Sequence, residues 1–138
     1  MKKLFTERTA VYFLLCILSA VIVFHLLVLV GAIPFQIVWG GRLTDRTQMV
    51  RFESISIVIN LIMLAIVTVR AGLLKLRIKP IIITTALWIM CMLFLLNTIG
   101  NLLSTNAFEK AVFTPLTLLL SLCCFRLATD RKWKMISK

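Results

Sequence analysis

The sequence predicts an all-α protein, a four-transmembrane-helix antiparallel bundle, N-in/C-in. Three observations carry this expectation. The 138 residues are 61% hydrophobic, with a mean hydropathy of +1.04, where a soluble domain is about half apolar. Four apolar runs are each long enough to cross ~30 Å of hydrocarbon as a helix. Lys and Arg are shared unequally among the segments between those runs. A chain of this size buries only part of its surface, so lipid must solvate the rest. Backbone amides in lipid are satisfied only inside a helix or a closed barrel.

The first helix is expected over about residues 10–33. Lys2, Lys3 and Arg8 precede it, as in a signal peptide. The apolar run, however, is about twice the usual ~7–15 residues and no A-x-A cleavage site follows, so it reads as a retained signal-anchor helix. Pro34 lacks an N–H and disfavours helix at Ile33, which sets the expected end. Residues 34–52 are expected to form an outer interfacial connection. Phe35, Ile37, Val38 and Trp39 are too apolar for a solvated loop and suit the headgroup region, and Gly40–Gly41 breaks the segment.

The second helix is expected over about 53–70, with a start as early as Met49 to complete the span. Arg70, Lys75, Arg77 and Lys79 follow it without an intervening acid. Pro80, tolerated at a helix start, opens the third helix at 81–103. A short connection then forces an antiparallel hairpin into the fourth helix, 111–128. Pro115 is expected in its first turn or so, where a missing donor costs little. Residues 1–138 thus read as a single membrane domain without repeats.

Charge orients the bundle. Lys2, Lys3, Arg8, the four cations of the second connection, Arg126 and the tail's Arg131, Lys132, Lys134 and Lys138 share one side. Arg42, Arg46, Arg51 and Lys110 share the other. The positive-inside rule then puts both termini in the cytoplasm of a multi-pass cell-membrane protein. The net charge of +11 is explained by topology and anionic headgroups, and nucleic acid is not an expected partner.

Polar residues inside membrane spans are costly, so their positions are informative. His25 lies about 22 Å up from the cytoplasmic end of its helix, Asn97 about 24 Å up, and Asn60 about 10 Å below the outer face, at ~1.5 Å per residue. Asn101, Glu109 and Thr114 fall at or just below that face. Asn97 and Asn101 are spaced i,i+4, and Glu53, Ser56 and Asn60 are spaced i, i+3, i+7, each on one helical face. The candidate polar pocket is therefore His25, Glu53, Asn60, Asn97, Asn101 and Glu109, opening outward, with almost nothing polar in the inner half. Such groups also serve simply to tie helices together. His25 is the sharpest candidate, since imidazole is the side chain that changes charge near neutrality. Trp39, Trp88 and Trp133 read as interface anchors.

Cys16, Cys91, Cys123 and Cys124 all lie in apolar runs, read as small buried side chains, and form no C-x-x-C or zinc-type spacing. No metal site, nucleotide loop or cofactor is expected. That missing C-x-x-C excludes quinone-linked thiol oxidoreductases, and the first helix lacks the mid-span acid that small multidrug exporters use.

The stretches PFQIVWGGR (34–42), INLIMLAIVTVRAG (59–72) and LLNTIGNLLSTNAFEKAVFTPLTLLLSL (95–122) resemble a group of uncharacterised small bacterial four-helix integral membrane proteins. The resemblance covers most of the chain. It implies the four-helix plan and brings no activity, substrate or catalytic residue. The expected function is that of a binding or accessory membrane protein rather than an enzyme. Its expected partners are membrane lipids, an apolar small ligand or membrane partner protein, and a second copy of the chain. The alternatives are a transporter or channel subunit acting as an oligomer, which needs a continuous polar path, and an enzyme on a lipid-like substrate using His25 or Glu53 as acid and base.

Overall fold

The computed structural model describes residues 6–130 as four long α-helices joined by three connections, with no strand among the described residues. Helix α1 spans Glu7–Leu29, α2 Arg46–Arg70, α3 Pro80–Leu102 and α4 Ala107–Ala128. Their lengths are 23, 25, 23 and 22 residues, or about 33–38 Å at ~1.5 Å per residue. All four are long and apolar enough to cross a membrane, and no more than 39% of any span is buried inside the bundle. Val58, Ile62, Leu96 and Ile99 are among the exposed side chains, an apolar belt suited to lipid. Lys2, Lys3, the tail cations from Arg131 onward and Trp133 lie outside the described residues.

Capping chemistry sets limits that hydropathy does not see. Helix α1 stops at Leu29, short of Ile33. Gly31 takes φ +82°, and the Gly31 and Ala32 amides donate back to Val28 O at 3.0 Å and Leu27 O at 2.9 Å. This glycine-closed C-terminus needs a left-handed residue, and it ends the helix before Pro34 can. Helix α2 starts at Arg46 because Asp45 Oδ1 accepts from the Gln48 amide at 2.8 Å, an N-cap. Residues 46–52, expected in the interfacial connection, are therefore helical. Helix α4 starts at Ala107, earlier than 111, because Asn106 Oδ1 accepts from the Phe108 and Glu109 amides at 2.9 and 3.2 Å. Pro115 consequently lies inside the helix, not in its first turn.

Helices α1 and α2 pack as one hairpin and α3 and α4 as another; α1 meets α4, while α2 and α3 make only slight contact. The α1–α2 and α3–α4 connections share one end, termed the loop end; the α2–α3 connection, the start of α1 and the end of α4 share the other. The main core joins Leu14 and Leu18 of α1, Val67 of α2, Leu87 and Phe94 of α3, and Leu120 and Leu127 of α4. A smaller cluster of Val28, Val38 and Met49 seats the α1–α2 connection at the loop end. Between α3 and α4, Thr98 and Thr117 hydroxyls meet at 2.9 Å and Ser121 donates to Cys91 O at 2.9 Å.

Two expectations are corrected here. Cys16 is exposed rather than buried, whereas Cys91, Cys123 and Cys124 are buried. The end opposite the loop end is not free of buried polar groups. Arg70, expected as a connection residue, is only 6% exposed. Its guanidinium donates to Asp130 at 2.7 Å and lies 3.7 Å from Glu7, tying the end of α2 to the end of α4 and the start of α1. An arginine at that depth is stable only when its charge is matched, and Asp130 supplies the match.

Candidate functional site

A cavity of about 290 Å³ lies between the main core and the loop-end cluster. All four helices line it: Val21, Phe24 and His25 from α1, Ser56, Ile59, Asn60 and Met63 from α2, Leu93, Phe94, Asn97 and Asn101 from α3, and Glu109 and Phe113 from α4. Val38 and Trp39 of the α1–α2 connection complete the lining. Five of the six residues singled out from the sequence thus face one space. The sixth, Glu53, is fully buried and lies behind the wall, bonded to two residues that line it. The volume is near the lower limit for small-molecule sites, ~300–1,000 Å³.

Glu53 organises one side. His25 Nδ1 lies 2.6 Å from Glu53 Oε2, and Trp39 Nε1 donates to Glu53 Oε1 at 2.9 Å. A carboxylate only accepts, so the Nδ1 proton belongs to His25 and points at Glu53. In the neutral imidazole the second ring nitrogen, Nε2, is then an acceptor. Such a carboxylate fixes both the tautomer and the orientation of an imidazole. Burying Glu53 without these donors would cost several kcal/mol.

Glu109, only 8% exposed, organises the opposite side. Its Oε2 accepts from the Gly40 amide at 2.6 Å and from Ser104 Oγ at 2.6 Å. Ser104 Oγ in turn accepts from the Asn106 amide at 3.0 Å. Thr105 Oγ1 donates to Gly40 O at 3.0 Å, so both polar groups of the Gly40 residue are held by the α3–α4 hairpin. The connection reaches this position through a left-handed turn, with φ +57° at Trp39, +68° at Gly40 and +69° at Gly41. Gly40 adopts this without penalty. For a bulky residue such as Trp39 it is a genuine outlier, of the kind that costs ~1–3 kcal/mol and persists only where the surroundings impose it. The Glu53 bond and the Phe52 ring, 5.0 Å from the Trp39 ring, are those surroundings.

The asparagines differ in their ties. Asn60 is half-buried and its Nδ2 donates to Ser56 O at 2.8 Å. Asn101 is half-buried and its Nδ2 donates to Thr117 Oγ1 at a longer 3.4 Å. Asn97 is exposed, on the flank where α2 and α3 part. Thr114 Oγ1 is buried without a hydrogen-bond partner.

Sequence reasoning missed three contributors. Trp39 reads from the sequence as an interface anchor, yet its indole N–H is spent inside the bundle on Glu53. The Gly40 amide and Ser104 carry no side-chain signature of their own. The available signal was the Trp39–Gly40–Gly41 run beside Phe35, Ile37 and Val38, a turn too apolar to be a solvated loop. Among the described residues no group of three or more His, Cys, Asp or Glu is placed to hold a metal ion. No protein-family model, curated protein or solved structure matches the chain.

Proposed function

We propose that this chain is a multi-pass protein of the cell membrane, with both termini cytoplasmic, that works as a binding or accessory protein and holds a small ligand in the cavity near its outer face. The observation that carries this reading is the convergence of His25, Asn60, Asn97, Asn101 and Glu109, from four different helices, on one lined space. Groups that only tie helices would be bonded across the helix interfaces, as Thr98 and Thr117 are. Asn60 instead bonds within its own helix and contributes nothing to an interface. Membership of the small bacterial four-helix group named above is part of the same proposal.

The test is mass spectrometry of the intact protein released gently from its own membrane. A small molecule retained by the wild type and lost in Asn60→Leu and Asn97→Leu, with unfolding temperature unchanged, is the expected result. A fall in stability in both variants with nothing retained by the wild type would leave the residues as helix ties and end the proposal.

One observation favours a second reading, an enzyme on a lipid-like substrate. The Glu53–His25 pair holds the ring with one nitrogen engaged and the other available on a cavity-lining residue, the arrangement of a general base. His25→Gln would then abolish turnover while leaving ligand retention intact. A transport role needs a polar path through the bundle, and Leu14, Leu18, Leu87 and Leu120, all buried, fill the remaining half.

A further inference from the structure

The hydrogen-bonding sense of the cavity narrows what it would take. Asn60 has committed an N–H to Ser56 O. Its Nδ2 assignment is forced, because a backbone carbonyl cannot donate. The Thr117 hydroxyl donates to Phe113 O at 2.7 Å, so it accepts from Asn101 and the Asn101 Nδ2 is likewise committed. What these two amides keep wholly free is Oδ1. As a neutral imidazole, His25 offers Nε2, an acceptor, with Nδ1–H given to Glu53. Glu109 has both its donors on Oε2, which leaves Oε1. Four lining residues therefore each hold an uncommitted acceptor, three of them a lone-pair oxygen.

Charge has the same sense. Glu109 lines the cavity and Glu53 lies just behind it, while among the described residues no Lys or Arg lines it. Arg42 lies beside Gly40 on the connection and is not part of the lining. The apolar wall is part aliphatic and part aromatic, the aromatic part being Phe24, Trp39, Phe94 and Phe113, with the Phe24 and Phe113 rings 5.3 Å apart and inclined at 60°. Ring faces attract cations. The remaining amide N–H groups of Asn60, Asn97 and Asn101 are the lining's free donors, and they are uncharged; a phosphate or carboxylate would meet them only beside the like charge of Glu109 and the free acceptors, whereas an ammonium group brings up to three donors and a positive charge that Glu109 matches.

We propose that the cavity recognises a protonated primary amine, through Asn60 Oδ1, Asn101 Oδ1 and Glu109 Oε1, within aromatic walls. This rests on the cavity being a ligand site, as argued above. The amine is carried by a lipid or by a free metabolite. The slight contact between α2 and α3, with Ile59 and Leu93 of the lining 42% and 40% exposed, gives an alkyl chain a way out sideways into the bilayer.

The probes are dodecylamine, dodecyltrimethylammonium, dodecanol and butylamine, titrated onto the full chain in a non-ionic detergent and read by intact-protein mass spectrometry. Dodecylamine should be retained at least tenfold more tightly than dodecanol, and more tightly than the trimethylated cation, which has no N–H. Glu109→Gln should erase most of the preference for amine over alcohol. Asn60→Leu serves as an independent variant should Glu109→Gln fail to fold. Tight retention of butylamine would support the amine and assign it to a free metabolite; retention that needs the chain would assign it to a lipid. Dodecanol held as tightly as dodecylamine would overturn the amine while leaving the cavity as a ligand site. Retention of none of the four would overturn both.

Discussion

Replacing Glu53 by leucine tests how the loop end is built. The carboxylate is fully buried and accepts from His25 and Trp39 at 2.6 and 2.9 Å. Glu53→Leu preserves volume and removes the cost of burying a charge, but leaves two donors without an acceptor. An orphaned buried donor costs ~1–3 kcal/mol. Trp39 is 38% exposed, so water recovers part of its share, while His25 sits deeper. The net loss should be about 2–4 kcal/mol, or roughly 6–16 °C in unfolding midpoint at ~3–4 °C per kcal/mol for a chain of this length. Glu53→Gln, which still accepts from Trp39, should lose about half as much. The decisive assay is a double-mutant cycle with His25→Phe, followed by reversible unfolding in mixed micelles. Once His25 is gone, Glu53→Leu should cost at least ~1.5 kcal/mol less than it does in the wild type, the coupling expected of a charge-assisted bond. Strict additivity within ~0.5 kcal/mol would refute the pairing, and an unaltered midpoint in Glu53→Leu would refute the whole account of Glu53.

Two further predictions concern the rest of the fold and its orientation. Breaking the buried Arg70–Asp130 pair by Asp130→Leu should destabilise the bundle by about 3–5 kcal/mol, whereas Arg70→Met with Asp130→Leu together should come within ~1–2 kcal/mol of wild type; equal losses in the two would show that the charges are not buried against each other. In intact cells, Thr44→Cys should react with a membrane-impermeant maleimide and Leu74→Cys only after permeabilisation, both positions being exposed; the reverse pattern would invert the proposed topology.

How far the residues foretold the structure depends on the kind of signal. Span number is a bulk property, fixed by long apolar runs, and it was legible. So was the shared level of His25, Asn60 and Asn97, because rise per residue converts sequence position into depth. The end of α1 and the starts of α2 and α4 were not, because they turn on single residues. Asp45 and Asn106 start α2 and α4 inside segments whose hydropathy is loop-like. The partnership of Arg70 with Asp130 spans sixty positions and has no local pattern, so charge counting placed Arg70 with the cations of the second connection. Trp39 was misread for a related reason. Its aromatic character suits an interface, and only the tertiary placement of Glu53 shows where its N–H goes.

The peptide unit between Trp39 and Gly40 has a mechanical consequence. Glu53 of α2 grips the side chain on one flank and Glu109 of α4 grips the amide on the other. The hydrogen bonds between the two hairpins at the loop end therefore form a clasp a single residue wide, at Gly40, beside the apolar packing of α1 on α4. Any guest that wedges α2 away from α4 must first open that clasp, so entry of such a guest and release of the α1–α2 strap are one event rather than two.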